Sequence, residues 1–398
     1  MVSSGSWTTA TGPATPALLR TINDRSALEL LLDRGPQSRI EIGRLTGLSK
    51  PTASQMLARL EASGRVVRVG VSTGRPGPAA QLYDLNPAAG YAAAVDVTPT
   101  RATVVIADLT GRVVGEASVA MRRRPVTHPA ERLAEALDTA ANQARITTAA
   151  VGALVIGLPG AFDEGTGRLR YAAHMPGWHD KQLLQRLAAT LGVRVHLEND
   201  VNLAAVAEQR SGAARGCADF VYCWAGEGIG SAIMLEGRLR RGATGGAGEI
   251  GFMPVPGASL VRRVTRANAG GFHELAGREA VVRLARERGV AGATAEEVVA
   301  AAAADEVGGA GLLEELATRY ATGLASMVSV LDPPLVVLAG SVLRAGGEPL
   351  RARVAHELAE LAMVSPALVV STVEGNPVLA GAQYAALDLV RDEVFSSG

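Results

Sequence analysis

The sequence predicts an α/β protein in two parts: an N-terminal winged helix-turn-helix domain, followed by a larger domain with two lobes. Two observations carry this prediction. Residues 38–61 have the pattern of two short helices joined by a sharp turn. After residue 81, strand-like apolar runs alternate with helical segments, and a strand, a glycine-rich turn and a hairpin occur twice. Alternating strands and helices are typical of α/β domains, and two similar halves are expected to enclose a cleft.

The helix-turn-helix is predicted from the residues around its turn. Gly47 stands where the turn requires a positive φ, and the Ser49 hydroxyl can cap a second helix. Pro51 falls in the first turn of that helix, where a missing N–H costs nothing. Residues 49–61 are therefore the predicted recognition helix. The apolar residues predicted to face inward are Ile40, Ile42, Leu45, Ala53, Leu57 and Leu60.

The polar face of this helix pair indicates DNA binding. Residues 20–76 contain ten Arg or Lys against five Asp or Glu, in a chain of net charge +0. This local basic excess favours binding to phosphates, whereas the alternative is an ordinary αα-hairpin with a solvated polar face. The side chains predicted to contact bases or phosphates are Arg39, Ser49, Lys50, Thr52, Gln55 and Arg59.

A β-wing is predicted after the recognition helix, over residues 65–77, where valines are broken by Gly70 and Gly74. The Gly- and Pro-rich segment 74–78 cannot form regular structure and marks a domain boundary. Arg75 within it is a further predicted DNA contact, because an arginine in such a segment can enter a narrow minor groove. A plain linker arginine is the alternative.

Length and composition bound the class of protein. A chain of 398 residues with 48% hydrophobic content suits two or three globular domains. Cys217 and Cys223 fall in a predicted strand and its approach, which is poor geometry for a disulfide, and no metal-ligand spacing surrounds them. No stretch approaches the ~20 apolar residues of a membrane span, and residues 1–16 lack the features of a signal peptide. We therefore expect a cytoplasmic protein that does not associate with membranes.

In the larger domain, carboxylates beside glycines or strand ends are the candidates for ligand binding. Asp200 follows Asn199 at the end of a predicted strand, where open α/β sheets bind ligands. Its carboxylate could serve as a general base or bind hydroxyl groups, and a helix N-cap is the alternative. Glu249 lies in the glycine-rich run 245–251, which permits close backbone approach or forms a flexible loop.

Two further features of this domain can be explained either by a ligand-binding role or by a purely structural one. The glycine-rich turn at residues 226–231 could bring backbone N–H groups to a phosphate, and a simple hairpin turn explains it equally well. Glu274 lies near the start of a predicted helix over residues 274–286, where a carboxylate commonly complements the helix dipole.

Together these features resemble the ROK family of repressors, open reading frames and sugar kinases, over residues 18–398. The segments that carry the resemblance are 47–52, 74–76, 85–87, 157–160, 176–178, 198–202 and 248–251. The resemblance implies an actin-like, hexokinase-type fold for the larger domain. It also implies that Asn199, Asp200, Glu249 and Glu274 bind sugar hydroxyls, with Asp200 at the position of the kinases' catalytic base.

The departures from the family pattern bear on catalysis. The first phosphate loop of the kinases reads Asp-x-Gly-x-Thr, whereas Thr98 replaces the glycine here and Pro99 follows it. Thr98 adds a Cβ where phosphate would approach the backbone, and Pro99 removes a donor N–H. We therefore predict a non-catalytic domain that uses no cofactor.

The zinc motif of the family is also missing. Phe252 stands at the position of its histidine, and residues 256–274 contain no cysteine, so we predict no structural zinc. Losing that histidine should alter the contacts to a sugar. His174 and His273 could supply substitute polar contacts, and a surface or structural histidine is the alternative for each.

The predicted domains are a disordered tail (residues 1–17), the winged helix-turn-helix domain (18–80) and a ligand-binding and dimerisation domain (81–398). The predicted function is a DNA-binding transcriptional regulator. The resemblance implies a repressor, bound to double-stranded operator DNA as a homodimer or dimer of dimers and released by a carbohydrate in the cleft. The alternatives are an active sugar kinase with a DNA-binding appendage, and a regulator whose vestigial kinase body serves only for dimerisation.

Overall fold

The structure is a computed structural model that describes residues 16–72, 80–121, 128–170, 175, 177–260, 270–305 and 307–396. The chain divides into two compact units. Unit 1 comprises Met1–Tyr91, Ala107–Arg112 and Leu387–Gly398, and unit 2 comprises Ala92–Ile106 and Val113–Ala386. None of the helices in the described ranges combines the length and the apolar character that a bilayer span requires.

Unit 1 contains the winged helix-turn-helix. Gly47 ends the second helix with a φ of 72°, and Ser49 caps the third by accepting a hydrogen bond from the Thr52 N–H, so the predicted turn is confirmed. The elements are α1 (Pro16–Arg34), β1 (Gln37–Ser38), α2 (Arg39–Thr46), α3 (Lys50–Ala62), β2 (Val66–Val71) and β3 (Gln81–Leu85). The three strands form one antiparallel sheet in the order β1-β3-β2.

Four of the six residues predicted to face inward are buried, Leu45 is half-buried and Ile40 is exposed. Ala53, Leu57 and Leu60 of α3 are buried as predicted, together with Ile42 of α2. Ile40, in contrast, is 60% exposed, so its predicted burial is wrong. Residues two apart on a helix point to different sides, and Ile40 and Ile42 therefore cannot share one face.

The second strand of the wing lies beyond the boundary predicted at residue 80. β3 pairs with β2, with a bulge between Arg68 and Gly70, and so belongs to the sheet of unit 1. The Gly- and Pro-rich segment suggested a boundary, but it falls between two strands of the same sheet. The predicted start of the larger domain at Gln81 is therefore too early.

The C-terminal helix (Pro377–Ser396) contributes its final residues to unit 1. Val390 and Phe395 are each 3% exposed. The Asp392 carboxylate accepts a hydrogen bond from Arg25 of α1 at 2.8 Å, and Arg391 donates to the Leu109 carbonyl at 3.1 Å. Unit 1 is thus built from residues far apart in the sequence.

Unit 2 contains two halves with the same sheet topology. In each half, three strands that are consecutive in the sequence lie side by side. Two strands from later in the sequence then extend the sheet next to the first of the three. The strands are β4 (Tyr91–Val97), β5 (Arg101–Asp108), β6 (Val113–Ala120), β7 (Val151–Leu158), β8 (Ala161–Asp163), β9 (Arg168–Arg170), β10 (Val195–Asn199), β11 (Phe220–Ala225), β12 (Ile229–Leu235), β13 (Arg238–Leu239), β14 (Leu335–Ala339) and β15 (Ala367–Val370). The sheet orders are β10-β7-β4-β5-β6 and β15-β14-β11-β12-β13, so the predicted internal similarity is confirmed.

Helices follow the strands in both halves. They are α4 (Pro129–Ala144), α5 (Leu183–Leu191), α6 (Asp200–Ser211), α7 (Gly271–Ala276), α8 (Arg278–Glu287), α9 (Ala295–Ala304), α10 (Ala310–Leu331), α11 (Gly340–Leu361) and α12 (Pro377–Ser396). The helix predicted over residues 274–286 is divided into α7 and α8 at Gly277, where an added Cβ would lie 2.5 Å from the His273 carbonyl oxygen. This break decides which residues of α7 face inward.

The core of the second half fixes the position of α7. Phe272 is completely buried, and its ring meets the Tyr320 ring of α10 edge-on at 6.4 Å between centroids. Gly323 of α10 leaves room for Phe272, because a Cβ there would overlap the ring. Phe272 therefore anchors α7 and, with it, the orientation of the neighbouring His273.

Candidate functional site

The recognition helix α3 presents most of its predicted DNA-contacting residues at the surface of unit 1. Lys50, Thr52 and Gln55 are exposed. The Ser49 and Thr52 hydroxyls are 2.8 Å apart at the start of the helix. Arg39 at the start of α2 is also exposed and donates to the Ser54 hydroxyl at 3.1 Å. These residues therefore form one polar surface across both helices of the motif.

Arg59, another predicted DNA contact, is engaged within unit 1. Arg59 forms an ion pair with Asp24 of α1 at 2.7 Å, so its guanidinium has a partner inside unit 1. We therefore leave Arg59 out of the proposed DNA contacts. The spacing of residues along α3 could not reveal this partner, because Asp24 lies on another helix. Arg75 lies outside the described residues.

The second candidate site is a cavity of about 840 Å³ in unit 2. Both halves of the unit contribute to it, through strand ends, glycine-rich turns and helix starts. Such a cavity with convergent polar groups is typical of a small-molecule site. The polar and aromatic side chains that line it include Asp96, Asn199, Asp200, Trp224, Glu249 and His273.

Asn199 and Asp200 are positioned by the junction of β10 and α6. The Asn199 side chain caps α6 by accepting from the Asn202 N–H at 3.0 Å, and it donates to the Gly160 carbonyl at 3.2 Å. The alternative in which Asp200 is the cap is therefore wrong. Asp200 is the first residue of the helix and accepts from the Val201 N–H at 2.8 Å, with its carboxyl group at the cavity.

Burial of carboxyl groups dominates the electrostatics of the cavity. Burial raises the pKa of Asp200 to about 6, with smaller contributions from the charges of Asp96 and Glu227. Burial, with the nearby charge of Asp200, raises the pKa of Glu249 to about 7. Burial likewise raises the pKa of Asp96, opposed by a hydrogen bond from Asn376 at 2.7 Å. These groups can accept hydrogen bonds from ligand hydroxyls when ionised and donate one when protonated.

His273, and not Glu274, is the residue of α7 at the cavity. Glu274 is exposed, and its carboxylate accepts hydrogen bonds from the Ser259 N–H and hydroxyl at 3.3 and 3.1 Å. Contrary to the prediction, Glu274 is not among the residues that line the cavity. Neighbouring residues on a helix point in different directions, and the packing of Phe272 turns His273 inward. His174, the other predicted histidine contact, lies outside the described residues.

His273 is held as a neutral imidazole. Its Nδ1 accepts a hydrogen bond from the Ile229 N–H at 3.2 Å, which leaves the proton on Nε2. Burial lowers its pKa to about 4, so the ring is neutral near pH 7. Phe252, at the position of the family's zinc-binding histidine, meets the His273 ring edge-on at 5.1 Å. Among the described residues, no group of three His, Cys, Asp or Glu side chains could hold a metal ion.

The loops at the position of the kinases' phosphate sites use several backbone donors internally. The Thr98 N–H donates to the Arg101 carbonyl at 2.8 Å, and Pro99 has no N–H. In the glycine-rich turn, the Gly226 N–H donates to the Gly228 carbonyl at 3.0 Å. The Ile229 N–H donates to Nδ1 of His273. These groups are therefore not free to bind a phosphate in this arrangement.

Several cavity residues were not identified from the sequence. They lie on elements distant in the sequence, and no local motif marks them: Trp224, Arg278, Ser341 and Asn376.

Comparison with known proteins identifies both parts of the chain. A sequence model of the ROK family matches residues 92–388, and a model described as winged helix-turn-helix DNA-binding matches residues 20–67. The putative xylose repressor of Caldicellulosiruptor sp. (strain Rt8B.4) is 25% identical over 339 residues, covering 81% of this chain and 84% of that protein. The glucokinase of Thermotoga maritima is 29% identical over 217 residues, covering 50% of this chain and 68% of the kinase.

Other matched repressors are covered over only 60% to 62% of their own length. Among solved structures, a ROK family transcriptional regulator, described as a homologue of the E. coli MLC protein, superposes with a TM-score of 0.73. The match covers 96% of this chain and all of that chain at 18% identity, and it supports the fold alone. Because the family match extends over most of its length, the chain belongs to the ROK family.

Proposed function

We propose that this protein is a transcriptional repressor that binds operator DNA through α3 and releases it when a neutral sugar occupies the cavity of unit 2. One observation carries the proposal: a surface-exposed recognition helix and a cavity with Asn199, Asp200, Glu249 and neutral His273 occur in one chain. The names of two relatives, a putative xylose repressor and a xylose repressor, also support a DNA-binding surface and a sugar site in one chain.

The DNA-binding half of the proposal depends on the polar surface of α2 and α3. Lys50 can reach phosphates or guanine, and the Gln55 amide can form two hydrogen bonds with adenine. In this proposal Arg39, Ser49 and Thr52 add contacts to the DNA backbone. We infer a homodimer or dimer of dimers on paired half-sites, because a single helix-turn-helix offers few base contacts and two together multiply modest affinities.

The ligand half depends on the chemistry of the cavity. Sugar hydroxyls both donate and accept hydrogen bonds, and they match the carboxyl and amide groups of Asp200, Glu249 and Asn199. The Nε2–H of His273 adds a donor without adding charge. The names of the relatives make D-xylose the first ligand to test.

The second candidate is an active sugar kinase with a DNA-binding domain. A carboxyl group with a pKa of about 6, as at Asp200, suits a general base, and a glucokinase is among the relatives. Against it stand the backbone donors already engaged at Thr98 and Gly226, and the carboxyl groups of Asp96 and Glu227, which would repel a nucleotide phosphate. A body that binds no ligand and serves only for dimerisation is the remaining alternative.

One experiment separates these candidates. Operator DNA is selected from a random library with the purified protein, and release of that DNA is measured against D-xylose, D-glucose and their phosphates. ADP production from ATP is followed with the same sugars. We expect release by a neutral sugar and no turnover. Sugar-dependent ADP production would establish the kinase, and tight DNA binding that no sugar changes would favour the dimerisation-only body.

A further inference from the structure

We propose that the cavity binds a neutral disaccharide, with one ring at the Asp200 end and the second ring in a separate subsite formed by Trp224, Arg278 and Ser341. This inference rests on the proposed function and extends it, because it names the size and class of the ligand. We call these three residues the Trp224 subsite.

The Trp224 subsite is a connected group of side chains. The Ser341 hydroxyl and Nη2 of Arg278 both donate to the same carboxylate oxygen of Glu296, at 2.6 and 2.8 Å. Gly226 lies beside both Trp224 and Ser341, since a Cβ added to it would be 2.9 Å from the indole Nε1 and 3.5 Å from the Ser341 hydroxyl. The three side chains therefore form one connected group in the lining of the cavity, and all of them come from the second half of unit 2.

The glycine-rich turn at residues 226–231 connects the Trp224 subsite to the Asp200 end of the cavity. Gly226 adjoins the Trp224 subsite, and a Cβ added two residues later, at Gly228, would be 3.3 Å from Cε1 of His273. Both ends line one continuous cavity of about 840 Å³. That volume lies in the upper part of the range for drug-sized ligands, and a single sugar of about 10 to 12 non-hydrogen atoms would leave much of it to water.

The chemistry of the Trp224 subsite fits a second sugar ring. Trp224 is half-buried and combines a large apolar surface with an N–H donor, which suits a ring with one apolar face and polar edges. Arg278 is 40% exposed, and a guanidinium with five N–H donors has some left for ligand hydroxyls beyond its pair with Glu296. The Ser341 hydroxyl can accept as well as donate.

The charges around the subsite oppose an anionic occupant. Glu227 is exposed on the turn between the two ends, and Asp96 and Asp200 line the same cavity. The positive charge of Arg278 is paired with Glu296. Among the described residues that line the cavity, the one cation is Arg278, and its charge is already paired, so a nucleotide or sugar phosphate would meet these carboxylates without compensation from them. A neutral disaccharide would meet hydrogen-bonding groups and an apolar ring.

The test compares matched sugars by calorimetry on the full-length protein. D-xylose is compared with β-1,4-xylobiose, and D-glucose with cellobiose and maltose. We expect at least one disaccharide to bind about tenfold more tightly than its monosaccharide, a difference of about 1.4 kcal/mol. Trp224→Ala should remove most of this advantage, and Trp224→Phe, which keeps an aromatic face, should retain part of it.

A merely structural role of Trp224 would weaken both members of each pair equally, and that result would overturn the inference. So would equal affinities in the wild type, or binding of a non-hydrolysable ATP analogue that competes with the disaccharides. If Trp224→Ala does not fold, tryptophan fluorescence of the wild type and of Trp224→Phe provides the readout. Adding disaccharide should then change the tryptophan emission of the wild type, and the change should be smaller in Trp224→Phe. Operator release by monosaccharides alone would leave the proposed function intact, whereas no binding of any sugar would remove both.

Discussion

The guanidinium of Arg59 in α3 donates to the carboxylate of Asp24 in α1 across 2.7 Å, and so ties the recognition helix to the first helix of unit 1. The Asp24 side chain is only 8% exposed, whereas that of Arg59 is 46% exposed. A nearly buried carboxylate that loses its partner is costly, and this pair therefore stabilises the position of α3.

We expect Arg59→Ala to destabilise unit 1 by about 1 kcal/mol, a value at the low end for a charged hydrogen bond because Arg59 is partly solvated. Urea unfolding followed by circular dichroism measures the change. Asp33→Asn, an exposed acidic residue on α1, is the matched control and should change little. Equal midpoints for wild type and Arg59→Ala would show that the pair contributes nothing to stability.

The exposed residues of α3 should control DNA affinity without affecting the fold. We expect Lys50→Ala combined with Gln55→Ala to weaken binding to the selected operator at least tenfold, because both side chains are placed for base or phosphate contacts. The slope of log affinity against log salt should also decrease by about one when the charge of Lys50 is removed.

Fluorescence anisotropy at several salt concentrations measures both quantities. Arg286→Ala removes an equivalent exposed positive charge from α8 and serves as the control. If the control and the double variant lose affinity to the same extent, only the overall charge matters, and α3 is not the reading element.

The raised pKa of Glu249 predicts a pH-dependent effect on stability. Its pKa is about 7 in the folded protein, against an ordinary value of 4.5, so the folded state holds this proton more tightly than the unfolded state. Ionisation of Glu249 therefore lowers the free energy of unfolding progressively as the pH rises from about 4.5 to 7. Glu249→Gln should remove that contribution, making the variant more stable than the wild type by about 1 to 3 kcal/mol near pH 8.

Urea unfolding of both proteins near pH 4.5 and pH 8 tests the sign and the window. Near pH 4.5 the two proteins should differ much less than near pH 8. Glu287→Gln, at the exposed end of α8, should show no such pH-dependent difference. A variant that is less stable than the wild type at pH 8 would mean that the Glu249 carboxylate is stabilised by its surroundings.

A single methyl group at Gly251 should disturb the ligand site through His273. A Cβ at Gly251 would overlap the imidazole around Nε2 and force the ring to move. We expect Gly251→Ala to weaken sugar binding at least tenfold in calorimetry. Gly311→Ala, in α10, adds the same methyl group beside only the flexible end of Arg288 and should leave the affinity unchanged. Unchanged affinity in Gly251→Ala would show that His273 does not contact the ligand.

Elements with local signals in the sequence were predicted closely. The caps at Gly47 and Ser49 fixed the turn of the helix-turn-helix. Asn199, Asp200 and Glu249 were selected beside strand ends and glycines, and they line one cavity.

The errors arose where the outcome depended on packing between distant parts of the chain. The direction of His273 and Glu274 depends on the helix break at Gly277 and on Phe272 packing against Tyr320 of α10. The partner of Arg59 is on another helix, and the partner strand of the wing follows a segment that looked like a linker. Local periodicity carries no information about such contacts.

The composition of unit 1 has a consequence for how the chain is made. The unit that carries the recognition helix also contains Leu387–Gly398, and buries Val390 and Phe395 from this segment. During translation, the winged helix-turn-helix leaves the ribosome long before those residues are synthesised. A nascent chain stalled before residue 387 would therefore expose the recognition helix on an incomplete unit 1. Full operator binding should arise only after residues 387–396 have been synthesised and have packed into that unit.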